Sequence, residues 1–502
     1  MTRAWLCACS LLATSPVAAQ SAAPLDLVIV GGRVIDPQTK FDAVRTVGVH
    51  HGKIAYIGVA IPAARDTVRA RGLVVAPGFI DLHSHGQDST NYGYLARDGV
   101  TTALELELGS YPVAPWYAER DGKARINYGI TVSHPGARRA MLERDSSRAG
   151  SSILSQDGPW ARERIAADRL PELAARLDAG LRDGALGVGM GLAYTVAASR
   201  AEALNAFRVA ARGKVPVYVH VRSGGPGDED GPAGVQEVLA DAAATGASLH
   251  VVHITSIGAA STPLLLDLIE GARAAGRDVT TEAYPYSAGA TSITAAIFDP
   301  GFQQRLGIDY HDLLMPATGE RLTAESFARY RVTGGRVIVF SIPDSVPAQT
   351  YRHPYVIVAS DGSLSTVDGK VIGHPRSAGT HARILGTLVR QQHVLSLADA
   401  IGRMTLLPAQ RVEGADARMA KKGRLQVGAD ADITVFDAER VLDKATYENG
   451  AQYSEGIPFV LVNGTFVVRD GALVAGAHPG RAVRRDAPLP RVRDHPHPVL
   501  RP

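Results

Sequence analysis

The sequence places five side chains that can bind a metal or move a proton directly after short apolar runs. These side chains are His83, His85, His220, His253 and Asp361. Residues two apart in a strand point the same way, so both imidazoles of His83-Ser84-His85 can reach one ion. A single histidine is more often an ordinary polar residue, but five such groups at the ends of apolar runs indicate a shared site. Histidine and carboxylate ligands favour zinc, as one ion or two, with manganese or cobalt as alternatives.

Two glutamates lie within another apolar run, Thr101-Thr-Ala-Leu-Glu105-Leu-Glu107-Leu-Gly109. Strand alternation puts Glu105 and Glu107 on one side and the leucines on the other. Two inward carboxylates are costly unless they meet cations or a metal. Arginine partners are one explanation, most of all for Glu105. Glu107 is nearer the end of the run where the histidines gather, so we assign it as a metal ligand that two ions can share.

The elements that must position these groups are eight apolar, β-rich runs that alternate with amphipathic stretches. The runs cover residues 79–83, 101–107, 128–133, 185–190, 215–221, 249–253, 279–284 and 355–360. Residues 170–181 and 236–245 have the apolar spacing of helices. This alternation predicts an α/β fold with a (β/α)8 TIM-like barrel over residues 77–422 and an insertion near 288–353. The carboxyl ends of barrel strands form the active-site face, which is where the candidate ligands fall.

The two ends of the chain have a different texture, with short alternating runs separated by turn residues. One segment covers residues 24–76 and the other residues 423–478. In the second segment, two apolar runs flank Asn463-Gly464, which is a strong hairpin signal. Because the same texture flanks the barrel on both sides, we predict one small β-sandwich domain built from both termini.

Residues 1–19 predict a secretory signal peptide. They begin with Arg3, continue in an apolar run and end in small residues before the expected cleavage site. The apolar run is too short to span a membrane as a helix. Both cysteines of the chain, Cys7 and Cys9, lie in this segment, so the mature protein would contain no thiol. We therefore expect an exported protein, periplasmic or secreted, that folds without disulfides.

The composition is that of a soluble globular protein with a large core. The chain has 502 residues, of which 45% are hydrophobic and 21% charged. Six arginines lie in a basic, proline-rich tail, residues 480–502, and they account for the formal charge of +3. A charged tail gives little support to nucleic-acid binding, which needs a basic folded face. No run is suited to a membrane span, and the sequence makes no prediction of the oligomeric state.

Several motifs carry a resemblance to a known family. Residues 76–85, Ala-Pro-Gly-Phe-Ile-Asp-Leu-His-Ser-His, resemble the opening of the amidohydrolase superfamily. The remainder resembles its D-aminoacylase branch, the N-acyl-D-amino-acid deacylases. The segments that carry this second resemblance are residues 184–194, 220–222, 282–286, 360–362, 374–380 and 428–437. The most specific of them is His374-Pro-Arg-Ser-Ala-Gly-Thr380, together with Tyr284-Pro-Tyr286.

The resemblance implies roles for individual residues. The family's metal-binding histidines match His83, His85, His220 and His253, and its catalytic aspartate matches Asp361. Its carboxylate-gripping arginine matches Arg376, whose planar guanidinium suits a carboxylate; a structural ion pair is the alternative. The family's pocket tyrosine matches Tyr194, for which packing in the core is the alternative. We also assign Arg222 and Tyr284, which lie in the matching segments, to substrate binding.

Two departures separate the sequence from typical D-aminoacylases. Those proteins have a cysteine metal ligand at the end of the second strand, where Glu105-Leu-Glu107 stands here. Other branches bridge their metals with glutamate or a carboxylated lysine, and no lysine falls at a predicted strand end, which leaves glutamate. In addition, Gly86-Gln87 follows the two histidines in place of the usual acidic residue. These departures leave the identity of the substrate open.

We therefore expect a metal-dependent hydrolase that cleaves the amide bond of N-acyl-(D-)amino acids or related acyl-amino acids and dipeptides. In this hypothesis the metal activates a water, and Asp361 moves its proton. An enzymatic alternative is a dipeptidase or a cyclic-amide hydrolase of the hydantoinase or dihydroorotase kind. Arg376 favours an acyclic carboxylate instead. An alternative of another class is a non-catalytic periplasmic binding protein on a degenerate barrel. The presence of every expected ligand histidine and of the aspartate argues against it.

Overall fold

The computed structural model describes residues 24–145, 150, 153–154, 157–222 and 231–486. The predicted signal peptide, and the predicted tail beyond residue 486, lie outside these residues. Residues 480–486 lie against the barrel, where the amide of Val483 donates to the carbonyl of Tyr128 at 2.7 Å. Within the described residues, no helix is long and apolar enough to cross a membrane.

Eight parallel strands form the sheet that holds the site, and neighbours in this sheet are neighbours in the chain. They are Phe79–Asp81, Val100–Ser110, Asn127–Ser133, Val188–Gly191, Val217–His220, Leu249–Val251, Val279–Ala283 and Val356–Val358. We number them as barrel strands 1 to 8. Every predicted strand is present, and the predicted TIM-like barrel is confirmed. The residues of these strands are buried almost throughout, as expected for a parallel sheet covered on both faces.

The ends of strands 1 and 8 meet through backbone contacts that bring the barrel close to closure. The amide of Asp361 donates to the carbonyl of His83 at 2.7 Å, and the amide of His85 donates to the carbonyl of Gly362 at 2.9 Å. Strands 1 and 6 end two residues earlier than predicted, at Asp81 and Val251. The histidines that follow them therefore lie just beyond the ladder, where their side chains can converge over the barrel.

Helices surround the barrel because each has one apolar face. In Leu170–Arg182, for example, Leu173, Leu177 and Leu181 are buried at four-residue spacing, and the predicted helices are confirmed. The α-helices from the first barrel strand to the seventh are Ser89–Arg97, Val113–Arg120, His134–Leu142, Pro159–Arg162, Leu170–Arg182, Arg200–Gly213, Ala233–Thr245, Ile254–Gly258 and Thr262–Ala274. After the eighth strand come Arg376–Arg383, a π-helical continuation Ile384–Gln391, Leu397–Met404 and Leu406–Glu413.

Both ends of the chain contribute to one β domain, as the sequence predicts. Its nine strands are hydrogen-bonded into a single sheet in which Val74–Pro77 pairs with Ile433–Phe436. The strands are Leu25–Asp36, Phe41–His50, Lys53–Gly58, Ala64–Arg69, Val74–Pro77, Ile433–Phe436, Phe459–Val462, Thr465–Arg469 and Ala472–Leu473. A separate apolar core inside this domain contains Ile29, Val47 and Ile433.

A small subdomain lies between barrel strands 7 and 8. Its four-stranded antiparallel sheet consists of Gly289–Ser292, Leu313–Met315, Glu320–Arg321 and Arg336–Val339. The helices of this segment are Phe302–Leu306, Ala324–Thr333 and Ser345–Thr350, and a core of Phe298, Phe302 and Phe327 holds it together. A hairpin of Leu364–Val367 and Lys370–Gly373 follows barrel strand 8. The subdomain places one face of its sheet over the carboxyl ends of the barrel strands.

Candidate metal centre and active site

His83 and His85 meet Glu107 and Asp361 above barrel strand 1. The Nε2 atoms of the two histidines are 3.2 Å apart, and each lies 3.2 Å from Oε2 of Glu107. Oδ1 of Asp361 is 3.2 Å from Nε2 of His85 and 3.6 Å from Nε2 of His83. We call this group of four side chains the first half-site. All four side chains are at most 9% exposed.

The other oxygen of Glu107 faces a second pair of histidines. Its Oε1 lies 2.8 Å from Nδ1 of His220 and 3.0 Å from Nε2 of His253. We call this group the second half-site. Burial alone would raise the pKa of Glu107, but the charge of His83 and the bonds from His220 and His253 hold it well below its ordinary value. Glu107 is thus an ionised carboxylate that joins the two half-sites.

Two further carboxylates fix the orientation of the first pair of histidines. Nδ1 of His83 lies 2.5 Å from Oε1 of Glu282, and Nδ1 of His85 makes a short contact with Glu105. Each pairing turns the Nε2 atom of the ring toward the centre of the half-site. Glu105 therefore has a histidine partner, and no arginine contacts it among the described residues. Glu282 also lies 3.0 Å from Nε2 of His250.

The geometry of the first half-site fits a bound zinc ion. Zinc bonds nitrogen and oxygen ligands at about 2.0–2.1 Å in a tetrahedron, whose ligand atoms are then about 3.3 Å apart. Among His83, His85 and Asp361, and between each of these histidines and Glu107, the donor atoms are 3.2 to 3.6 Å apart, close to that value. The second half-site offers two imidazoles and the shared carboxylate, so the donors present suit one ion or two.

Asp361 connects the first half-site to Arg376. Its Oδ2 accepts a hydrogen bond of 2.9 Å from Nη2 of Arg376. Although burial opposes ionisation, the charges of Arg376 and His83 hold the pKa of Asp361 far below its ordinary range. The residue has a positive φ of 50°, so strain in the backbone accompanies the turn of its carboxylate toward the histidines.

Arg376 keeps part of its guanidinium free for another partner. Nη2 also donates to the carbonyl of Ala290 at 3.2 Å, and the guanidinium lies over the ring of Tyr284 at 4.5 Å. Its Nε and Nη1 atoms, and the hydroxyl of Tyr284, are buried without a hydrogen-bond partner in the described part of the chain. Burial raises the pKa of Tyr284 to about 12, so this hydroxyl donates at neutral pH.

These groups line a cavity of about 360 Å³ at the carboxyl ends of the strands. A volume of this size is typical of a site for a small molecule. Tyr194 lies in its wall, with the hydroxyl 3.2 Å from Oγ1 of Thr291 and the ring 4.8 Å from that of His220. Arg222 also lines the cavity, and its Nε is 2.9 Å from Glu237. The structure thus brings all ten residues chosen from the sequence to one site.

Sequence reasoning missed several residues of this site. One of them is Glu282, which has the same signal as Glu107, a carboxylate within a predicted strand. Thr291 and Arg336 come from the inserted subdomain and also line the cavity. Nothing in their sequence surroundings marks them, because their position depends on how the subdomain packs over the barrel.

The chain is similar to known proteins along most of its length. The family model described as "Amidohydrolase family" matches residues 66–468. An N-acyl-D-glutamate deacylase of Alcaligenes xylosoxydans xylosoxydans is 33% identical, over 93% of this chain and 98% of that protein. A D-aminoacylase of the same organism is 29% identical, over 92% of this chain and 98% of that protein.

A solved structure extends the agreement to the fold. The N-acyl-D-glutamate deacylase of Bordetella bronchiseptica, crystallised with zinc and a phosphonate inhibitor that mimics the tetrahedral intermediate, superimposes with a TM-score of 0.76 at 27% identity. The match covers 92% of this chain and all of that one. The resemblance inferred from the motifs is therefore confirmed, and the chain belongs to the amidohydrolase family.

Proposed function

We propose that this protein is a zinc-dependent hydrolase that cleaves the amide bond of N-acyl-D-amino acids. The observation that carries the proposal is that one cavity contains both a candidate metal centre and a candidate carboxylate-binding arginine. A centre of histidines and carboxylates lies beside Arg376, and Asp361 belongs to both. The deacylases to which the chain is similar act on substrates with an amide and a free carboxylate, which is what such a cavity would bind. The same relatives support the preference for the D configuration.

His83, His85, Glu107 and Asp361 would hold one zinc ion, and His220 and His253 would share Glu107 with a second. Bound zinc supplies a Lewis acid for the scissile carbonyl and lowers the pKa of a water molecule. Asp361 then acts as general base and acid. Its carboxylate stays ionised at neutral pH, so it can accept a proton from the attacking water and deliver that proton to the leaving nitrogen.

Arg376 would bind the carboxylate of the substrate. Its unpartnered Nε and Nη1 atoms can donate to that carboxylate while Nη2 continues to hold Asp361. The hydroxyl of Tyr284 adds a third donor at the same place. This arrangement fixes the distance between the carboxylate of the substrate and the catalytic aspartate. Such positioning favours an acyclic acyl-amino acid over hydantoin, which has no carboxylate.

We also propose that the protein is exported. Residues 1–19 have the pattern of a signal peptide, and the two cysteines fall within it. The metal centre described above contains no thiol, which suits a protein that works in an oxidising compartment.

The test is a substrate screen with the zinc-loaded protein. The panel contains N-acetyl-D- and N-acetyl-L-amino acids, dipeptides, hydantoin and dihydroorotate. We expect release of acetate from N-acetyl-D-amino acids, loss of activity after treatment with a chelator, and recovery after addition of zinc. Turnover confined to the cyclic amides would overturn the proposal. Binding of acyl-amino acids at full zinc occupancy without any turnover would favour the binding-protein alternative.

A further inference from the structure

The cavity contains an arginine for which the mechanism has no use. Arg336 begins the strand Arg336–Val339 of the inserted subdomain, and its partly buried side chain lines the cavity. No carboxylate and no carbonyl accepts a hydrogen bond or ion pair from its guanidinium within the described residues. A partly buried cation without a direct ion pair or hydrogen bond is costly, so it indicates a place where an anion is expected.

The other three arginines of the cavity all have protein partners. Arg376 pairs with Asp361, and Arg222 pairs with Glu237 at 2.9 Å. Arg305 donates to backbone carbonyls, among them that of Pro300 at 2.9 Å. Arg336 is thus the exception among four.

Arg336 lies close to the carboxylate-binding end of the cavity. Arg376 donates to the carbonyl of Ala290, and Ala290 pairs with Ile338, two residues along the strand from Arg336. Burial, and next the charge of Arg376, lower the pKa of Arg336, which is the effect expected of two neighbouring guanidinium groups. Two guanidiniums that line one cavity, one of them without a direct partner among the described residues, suit a ligand with two carboxylates rather than one.

We propose that Arg336 binds a second carboxylate of the substrate, so that the preferred substrates are N-acyl amino acids with two acidic groups. This inference rests on the proposed function, which it narrows. The second carboxylate has two sources, the side chain of an acidic amino acid or a dicarboxylic acyl group. Both present the same chemistry to Arg336, and the experiment separates them.

The test compares matched substrates in the wild-type enzyme, Arg336→Met and Arg336→Lys. One pair is N-acetyl-D-glutamate and N-acetyl-D-glutamine, which differ only in the charge of the side chain. The other pair is N-succinyl-D-leucine and N-butanoyl-D-leucine, which differ in the acyl group. Arg329→Met is the matched control, because Arg329 belongs to the same subdomain but forms an exposed ion pair with Glu320. Thermal unfolding of each variant checks that it is folded.

In at least one pair, we expect the wild type to prefer the dicarboxylate. Arg336→Met should lower kcat/KM for that substrate about 10- to 100-fold, the value of a charge-assisted hydrogen bond, and leave the neutral partner nearly unchanged. Arg336→Lys should restore part of the preference, and the control should match the wild type. No preference in either pair would overturn the inference. An equal loss on both members of a pair would do so as well, because Arg336 would then act on the reacting centre.

A binding measurement separates this inference from the proposed function. Titration calorimetry of the zinc-loaded enzyme with glutarate and with butyrate requires no turnover. We expect glutarate to bind about 10- to 100-fold more tightly, and this difference to disappear in Arg336→Met. If glutarate binds in this way but no acyl-amino acid is hydrolysed, the proposed function fails, and with it the substrate preference, while Arg336 is retained as a carboxylate-binding residue. If acyl-amino acids are hydrolysed but the affinity for glutarate is the same in the wild type and in Arg336→Met, the inference is wrong and the proposed function is unaffected.

Discussion

Glu107 is the residue on which the two half-sites depend, and its replacement by glutamine gives the sharpest structural prediction. The substitution keeps the shape of the side chain but removes its charge. Oε2 of Glu107 lies 3.2 Å from His83 and from His85, and Oε1 lies 2.8 and 3.0 Å from His220 and His253. Both half-sites therefore lose an anionic ligand in a single substitution.

The expected size of the effect follows from a comparison with Glu105. Glu105 contacts Nδ1 of His85 and so acts through that ring, and loss of such an outer carboxylate typically weakens metal affinity about 10- to 100-fold. Glu107 faces the ligand atoms of both half-sites themselves. We expect Glu107→Gln to weaken zinc binding by at least about 100-fold at each half-site, or about 2.8 kcal/mol. Glu105→Gln should weaken only the first.

The assay is zinc content by mass spectrometry after dialysis against graded concentrations of a competing chelator. Circular dichroism checks the fold of each variant. Glu202→Gln serves as the control, because Glu202 is equally buried and pairs with His134 and Arg138 away from the cavity. It should lose stability and keep its zinc. Wild-type zinc content in Glu107→Gln, or a greater loss of zinc in Glu105→Gln than in Glu107→Gln, would show that Glu107 does not join the two half-sites.

Glu282→Gln should weaken zinc binding about 10- to 100-fold without abolishing it, because Glu282 orients His83 from outside the half-site; chelator competition measures this. Arg376→Lys should raise KM for N-acyl amino acids at least about 10-fold, since a lysine cannot hold the substrate and Asp361 together; an unchanged KM in steady-state kinetics would contradict the assignment. The pKa of Glu202 is held at about 2, against 4.5 ordinarily, because its bonds to His134 and its pairing with Arg138 outweigh burial. The ionised form of Glu202 therefore stabilises the folded protein above pH 4.5, and this stabilisation is lost as the pH falls toward 2. In denaturant titrations, the free energy of unfolding of Glu202→Gln should be lower than that of the wild type at pH 7 and should approach it at pH 3.

The sequence is sufficient to predict the barrel and most of its metal centre because both depend on local patterns. Eight apolar runs that alternate with amphipathic stretches leave few other topologies, and a histidine or a carboxylate marks the end of several of these runs. Alternation within one strand was enough to put Glu105 and Glu107 on the same side. Their different roles follow from their positions, since Glu107 contacts the Nε2 ligand atom of His83, whereas Glu105 contacts Nδ1 of His85, on the other side of that ring.

The part of the site that the sequence does not reveal comes from contacts between distant segments. Arg336 and Thr291 are ordinary residues of short antiparallel strands, and only the docking of the subdomain brings them to the cavity. The position of Glu282 in its strand places its carboxylate on one face, but its partner His83 lies on the opposite side of the barrel closure, 199 residues away in the sequence. Pairings over such distances depend on closure of the barrel rather than on any local pattern.

The most direct test of the proposed function is the turnover of Asp361→Asn at a verified zinc content. Asparagine keeps the shape of Asp361 but cannot accept a proton at neutral pH, so the general base is lost. With zinc occupancy confirmed by mass spectrometry, we predict that kcat for an N-acetyl-D-amino acid falls about 10²- to 10⁴-fold. A zinc-loaded Asp361→Asn that turns over this substrate at a rate close to the wild type would contradict the account.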